Sequence, residues 1–228
     1  KPDAANRIAM ALDAIGKPKK TISNGVPYYE AYRDGNIVVV PSLGHLYTIS
    51  SKKKGRGYPI FDYQWVPRYR AERGASRIRV WLKVIAQLAK NAYGFVDACD
   101  FDIEGSIIGY NILKFACGGK ETLAKRMKYS TLTKKELQES YTHLLPTLDF
   151  AQIEAGLTRH EIDWLYGINL SRALTQAAQK CSGQYSTLST GRVQGPTLRF
   201  LEIREKTINC FVPTPYWTIT AKISINDV

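Results

Sequence analysis

Along the first two thirds of the chain, stretches whose apolar residues recur every three or four positions alternate with short stretches that are apolar almost throughout. Ala4, Ile8, Ala9 and Leu12 share one helical face, so residues 1–12 read as a loop running into an amphipathic helix. Ile37-Val38-Val39-Val40 is short and fully apolar, the pattern of a strand buried in a parallel sheet, and Pro41-Ser42-Leu43-Gly44-His45 turns the chain at its end. A second helix is predicted from Arg77 to Asn91, then a strand entering an acidic run, a third helix from Ile107 to Ala116, a strand from Leu123 to Thr131 and a helix opening at Lys134 to Tyr141. Alternation of this kind predicts an α/β class, a mostly parallel sheet flanked by helices, with its site at the carboxyl ends of the strands.

Beyond about residue 150 the pattern turns helical. Thr158-Arg159-His160-Glu161 has the spacing of a capping box, which predicts a helix from there to about Lys180. On it Arg159 and Asp163 lie in line with Tyr166, Leu170 and Ala173, while Asn169, Arg172 and Gln176 occupy another stripe and offer donors suited to phosphates or base edges. An ion pair heading an apolar stripe is costly unless well bonded or in contact with a ligand. A last helix starts at Ser189 or Thr190, or at Gly195 followed by Pro196, and continues through Leu198, Leu201 and Glu205. Arg192 and Gln194 then stand beside a helix N-terminus, where free N–H groups, a guanidinium and a hydroxyl make a phosphate-binding corner. Phe211 to Ile219 opens a new strand.

Composition changes the picture in one respect. The 228 residues carry 32 Lys and Arg against 20 Asp and Glu. From Lys52 to Lys90, eleven basic residues stand against only Asp62 and Glu72, interleaved with Tyr58, Phe61, Tyr63, Trp65, Tyr69 and Trp81. Such a mixture suits phosphate contacts and base stacking, although Lys52 to Gly57 also reads as a solvated loop. No run of roughly 18 apolar residues occurs, and the N-terminus lacks a signal-peptide pattern, so neither membrane insertion nor secretion is expected. Cys99, Cys117, Cys181 and Cys210 are scattered without a C-x-x-C pair, which fits reduced thiols in a cytoplasmic protein, Cys99 being a small buried residue.

Against this basic background, Asp100, Asp102 and Glu104 stand at alternate positions after Val96-Asp97-Ala98-Cys99. In an extended segment they would share one face and could converge on one hard cation. Without a cation or a basic neighbour they would raise one another's pKa by about a unit or more. Gly105 then allows a sharp turn into the following helix. The pattern points to magnesium, and a basic protein around it points to a polyanionic partner.

The run Asp100-Phe101-Asp102-Ile103-Glu104-Gly105 resembles the D-x-D-x-E-G signature of the Toprim domain, shared by topoisomerases, bacterial primases and some nucleases. Two further segments narrow the resemblance. Arg159-His160-Glu161-Ile162-Asp163-Trp164-Leu165-Tyr166-Gly167-Ile168-Asn169-Leu170-Ser171-Arg172-Ala173 and Ser189-Thr190-Gly191-Arg192-Val193-Gln194-Gly195-Pro196-Thr197-Leu198 are similar to stretches of type IA DNA topoisomerases, and the archaeal topoisomerase III-like branch is the most similar. Lys1-Pro2, Ser42-Leu43-Gly44-His45 and Phe211-Val212-Pro213 match in order.

The resemblance implies an enzyme that cuts one DNA strand with a tyrosine, holds the 5′ phosphate and passes another strand through the gap. It implies a Toprim domain over residues 1–148, the first part of a helical single-stranded-DNA-binding domain over 149–210 and the start of a strand leading into the gate domain over 211–228. Asp100, Asp102 and Glu104 would bind magnesium, and Lys1 would neutralise charge on the phosphodiester. Arg159, Asp163, Asn169, Arg172, Ser189, Arg192, Gln194 and Thr197 would hold single-stranded DNA, and His45 would contact DNA or fill the sheet edge. The expected setting is a monomer on DNA, in the cytoplasm and associated with the nucleoid. The family's glutamate before Lys1-Pro2 and its nucleophilic tyrosine are expected outside these residues, so the stretch alone is expected to be inactive. Ile103 and Ser106 depart from the family's usual polar and acidic residues, which alters the charge beside the metal. A Toprim nuclease or primase, the topoisomerase half of reverse gyrase and a non-enzymatic single-strand-binding module are the alternatives.

Overall fold

A computed structural model describes residues 2–53, 55 and 57–223. Helix α1 (Pro2–Leu12) buries Ala5, Ile8, Ala9, Ala11 and Leu12, so Ile8, Ala9 and Leu12 of the predicted face are inside while Ala4 is only half-buried. Two hairpins follow where the apolar pattern predicts one strand. Strands β1 (Lys19–Ser23), β2 (Val26–Tyr32) and β3 (Asn36–Val39) form an antiparallel sheet in the order β1-β2-β3. Asn24 and Gly25, both at positive φ, close the first hairpin, since a two-residue turn matching the strand twist requires that conformation. Strand β3 pairs antiparallel, and Val38 is 47% exposed, so it is an outer strand and not a buried parallel one.

Strands β4 (Tyr47–Ser51) and β5 (Tyr63–Pro67) form a second antiparallel pair, followed by the single turn α2 (Arg68–Ala71) and by α3 (Ser76–Ala89). Ile78, Trp81, Leu82, Val84 and Ile85 of α3 pack with Val26, Leu46 and Tyr47 into one core. The Trp81 indole N–H donates to the Pro41 carbonyl at 2.9 Å, satisfying the one polar atom that ring brings inside.

Among the described residues, parallel pairing is confined to β6 (Val96–Asp97) and β7 (Lys125–Arg126), each two residues long. The α/β class holds, but among the described residues the expected mostly parallel sheet resolves into three small sheets, two of them antiparallel. Between β6 and β7 runs α4 (Ile103–Asn111), which continues through a π-helical turn at Ile112–Ala116. Helix α5 (Lys134–Thr142) completes a second core with α1 and Met127 through Leu137.

A 33-residue helix, α6 (Phe150–Ser182), begins the helical region. It starts eight residues before the predicted capping box, because Asp149 accepts the Gln152 N–H and caps it there. Thr158 is therefore interior, and Glu161 hydrogen-bonds Tyr63 of β5. Gly156 lets α6 approach α4: a Cβ there would lie 2.4 Å from Ile107 Cδ1. Gly183, in the left-handed conformation, ends the helix. The last helix, α7 (Gln194–Asn209), starts at Gln194, so Pro196 is its third residue and not its first. Residues 211–223 are without assigned helix or strand, so the strand expected over 211–219 is not formed there.

Candidate functional site

The acidic run sits where β6 ends, and a buried arginine shapes it. Arg126, from β7, is 1% exposed. Its Nη1 donates to the carbonyls of Asp97 (3.0 Å) and Cys99 (2.8 Å), and its Nη2 to that of Asp100 (2.8 Å). Nη1 also lies 3.4 Å from the Asp97 carboxylate. One cation thus satisfies the carbonyls of a backbone that leaves its sheet after two residues. Burial pushes the Asp97 carboxyl up, against the pull of Arg126 and of the Cys99 amide. Burial also raises the Cys99 thiol well above its ordinary range, which makes it an inert packing residue.

The strand ends at Asp97, and although Asp102 keeps extended backbone, the three carboxylates do not share a strand face. Asp100 lies in the bend, and Asp102 caps α4 by accepting the Gly105 N–H on Oδ1 at 2.6 Å. Glu104 already belongs to the first helical turn, where its charge complements the helix dipole. Gly105 fits because its missing side chain would stand 2.1 Å from the Asp100 carbonyl.

Glu104 is the hub of the site. Its Oε2 lies 2.9 Å from His45 Nε2 and 3.2 Å from His160 Nε2, and its Oε1 lies 3.7 Å from Arg159 Nη1. Burial alone would raise its pKa, but the hydrogen bonds and positive character of His160 and His45 outweigh burial and hold the carboxyl below its ordinary value. Burial and the neighbouring His160 lower the His45 pKa, with Glu104 opposing. Among the described residues, His45, Glu104 and His160 form a group of possible metal ligands whose donor atoms lie within 4.8 Å of one another; Asp100 and Asp102 stand outside it. His45 therefore meets the acidic loop rather than only filling a sheet edge. Lys1 lies outside the described residues.

From Glu104 a line of ion pairs crosses to the helical region. Arg159 Nε is 3.8 Å from Asp163 Oδ2, and Arg192 clasps Asp163 with Nε to Oδ1 at 2.6 Å and Nη2 to Oδ2 at 3.2 Å. The Arg192 hydrogen bond holds the Asp163 carboxyl low, and Asp163 in turn raises Arg192. A group with a depressed folded pKa lends stability above its unfolded value and loses it as pH falls through the folded one. Asp163→Asn should therefore flatten the fall of melting temperature below about pH 4. Identical acid limbs for the two proteins would show that the pair adds nothing.

The remaining predicted residues divide. Asn169 is fully engaged: Nδ2 donates to the Ile60 and Leu165 carbonyls, both at 2.9 Å, and Oδ1 accepts the Ile60 N–H at 2.6 Å. Arg172 Nη1 donates to the Gly57 carbonyl at 2.7 Å. Both side chains fasten the basic, aromatic loop to α6. Ser171 and Thr175 exchange hydrogen bonds with the backbones of Thr190 and Leu188, which fixes the segment carrying Ser189. Ser189 borders a cleft of about 900 Å³ shared with Asp163, Arg172, Gln176 and Lys180. Gln194 opens α7, whose first N–H groups have no side-chain cap, while Thr197 returns its hydroxyl to the Val193 carbonyl. Arg126 and His160 are the residues that sequence reasoning missed. His160 stands between Arg159 and Glu161 in sequence, and neither it nor Arg126 carries a local signal of its long-range partner.

An acidic loop at a strand end is thus joined by ion pairs to a long helix, in a chain whose first part is a Toprim domain. The Toprim domain family matches residues 1–132, and a DNA topoisomerase family matches residues 147–227. The chain is 50% identical to the DNA topoisomerase 1 of Pyrococcus furiosus over 220 residues, 96% of this chain and 21% of that protein. It is 44% identical to the enzyme of the same name from Methanocaldococcus jannaschii, over 99% of this chain and 29% of that protein. Identity to the DNA topoisomerase 3 of Staphylococcus epidermidis is 31%, over 100% of this chain and 30% of that protein. The chain belongs to the type IA DNA topoisomerase family. It spans about a fifth to a third of the length of these relatives.

Proposed function

We propose that the chain supplies the magnesium centre and the first stretch of the single-stranded-DNA groove of an enzyme that changes DNA topology. The proposed reaction cuts one strand through a 5′-phosphotyrosine and passes another, the nucleophile being none of the 14 tyrosines here. The observation that carries this reading is the contact line from Glu104 through Arg159 and Asp163 to Arg192, which joins the acidic loop to the start of α7. A phosphodiester strand laid along that line would meet guanidinium groups on the way to the carboxylates.

Asp100, Asp102 and Glu104 are oxygen donors of the kind a hard cation takes, and they would have to converge on it from positions that stand apart here. Arg126 occupies the loop carbonyls of Cys99 and Asp100, so the loop would offer a metal its carboxylates, of which Asp102 Oδ1 also caps α4 and Glu104 Oε2 also meets His45 and His160. Bound there, magnesium would neutralise charge on the phosphodiester and position it. Asp102 also holds the start of α4, Arg192 would take a phosphate, and Lys1 would add a positive charge, whereas the Gly195 and Thr197 N–H groups at the start of α7 are already bonded to the Gly191 and Val193 carbonyls. Asn169 and Arg172 would act by holding the aromatic loop in place. The setting is cytoplasmic and nucleoid-associated, and no helix among the described residues is long and apolar enough to cross a membrane.

Two measurements test this. Millimolar magnesium should raise the melting temperature, and Asp100→Asn/Asp102→Asn should abolish the rise; equal rises would exclude a shared ion. Single-stranded oligonucleotides should bind with affinity falling by roughly 0.7 log units per log unit of salt for each phosphate neutralised, and Arg192→Ala should weaken that binding. Salt-independent affinity, or a strong preference for duplex, would overturn the groove.

A further inference from the structure

The magnesium reading uses oxygen ligands alone and leaves two imidazoles beside Glu104 unexplained. His45 reaches Glu104 from the turn before β4, and His160 from α6, across 59 and 56 residues of sequence. Both aim Nε2 at the same oxygen, at 2.9 and 3.2 Å, with ring centroids 4.9 Å apart. Donor atoms about 2.0–2.2 Å from a tetrahedral ion are separated by roughly 3.3–3.5 Å, so these two spacings are already close to those of a bound ion.

The geometry points to a second metal site, His45 Nε2, His160 Nε2 and Glu104 Oε2, selective for a zinc-class divalent ion over magnesium. Imidazole nitrogen favours borderline transition metals, whereas magnesium favours oxygen and keeps its waters. Three protein ligands leave a fourth position open to water or an anionic oxygen. The surroundings support this use. Arg159 approaches the other oxygen, Oε1, at 3.7 Å and leaves Oε2 to the histidines. His45 Nδ1 is buried without a partner among the described residues, so Nε2 is the atom through which this ring meets a ligand. Trp65 stands against His160 at 5.9 Å between ring centroids and restricts its orientation. Because Glu104 serves both sites, a zinc-class ion here would withdraw one carboxylate from magnesium. Such an ion would therefore inhibit the magnesium-dependent reaction, a consequence that rests on the proposed function; the site itself does not.

Cobalt(II) titrated into the intact chain reads the site directly, because four-coordinate cobalt with nitrogen ligands absorbs strongly in the visible. The band is expected in the wild type, in the exposed-histidine control His143→Gln and in Asp100→Asn/Asp102→Asn. It should be lost in His160→Gln and His45→Gln, and zinc competition should show at least about tenfold weaker binding in both. Melting curves without metal confirm folding, and His160→Gln, in a partly exposed residue, carries the test should His45→Gln fail to fold. No band in the wild type, a band that persists in His160→Gln, or a band that disappears with the two aspartates overturns the site. Failure of magnesium to raise the melting temperature, with the cobalt band intact, would remove the magnesium reading and leave this one standing.

Discussion

Arg126→Ala should destabilise the protein by about 3–5 kcal/mol, the range found when one partner of a buried ion pair is removed. The two side chains are 1% and 2% exposed, so no water can take the place of the guanidinium beside Asp97. The loss extends past the pair. The carbonyls of Cys99 and Asp100 also lose the guanidinium as a donor, while that of Asp97 keeps the Met127 N–H at 2.9 Å. Arg126→Lys should recover little, because a compact ammonium cannot reproduce the fork that spans those oxygens. Urea unfolding of the two variants, with Arg126→Met/Asp97→Asn as the compensated pair, measures the effect. A loss under about 1 kcal/mol in Arg126→Ala would mean that the loop holds its shape without the cation. Magnesium binding should fail along with stability, since the acidic loop hangs from these bonds.

Gly105→Ala should have the next largest effect. An added methyl would stand 2.1 Å from the Asp100 carbonyl oxygen and 2.9 Å from its carbon, distances that only backbone movement relieves. Overpacking of this kind costs about 1–3 kcal/mol, occasionally more. The movement has a particular direction, because Gly105 N–H is the donor that Asp102 caps, so displacing one displaces the other. The variant should lose the magnesium-dependent rise in melting temperature even at temperatures where its helix content matches the wild type. Ser106→Ala, one residue on, removes only the hydroxyl bonded at 2.5 Å to Gln152 and should leave the magnesium response in place. An unchanged response in Gly105→Ala would show that the close approach is not what sets the loop.

The two variants act on one construction, in which a short parallel pair delivers a chain end that would otherwise be unsupported. Strands of two residues contribute few ladder bonds. Arg126 and the Tyr129 hydroxyl, which donates to the Ala98 carbonyl at 2.7 Å, supply the bonds that a longer strand would have given.

What the sequence determined by itself is what local spacing encodes. The apolar face of α1 and helices close to the predicted bounds at α3 and α5 follow from periodicity, whereas α4 starts at Ile103, four residues before the predicted Ile107, and holds Gly105 inside its first turn. The segment around Arg192 was legible as a helix N-terminus for the same reason. The first hairpin was not read from the apolar pattern, although Asn24-Gly25, both at positive φ, is a pair suited to its turn. Tertiary structure alone decided the rest. A two-residue strand such as β6 or β7 has no period of its own and exists only because its partner lies beside it. The capping-box spacing at Thr158 was overridden by Asp149, and Glu161 turned to Tyr63. Asn169 offered donors for a nucleic acid, yet meets the Ile60 backbone 109 residues away. His45 and His160 converge on Glu104 only once α6 packs against α4 through Gly156. Polar side chains take partners wherever the folded chain brings unsatisfied groups within reach, and that distance is a property of the packed elements, not of residues near in sequence.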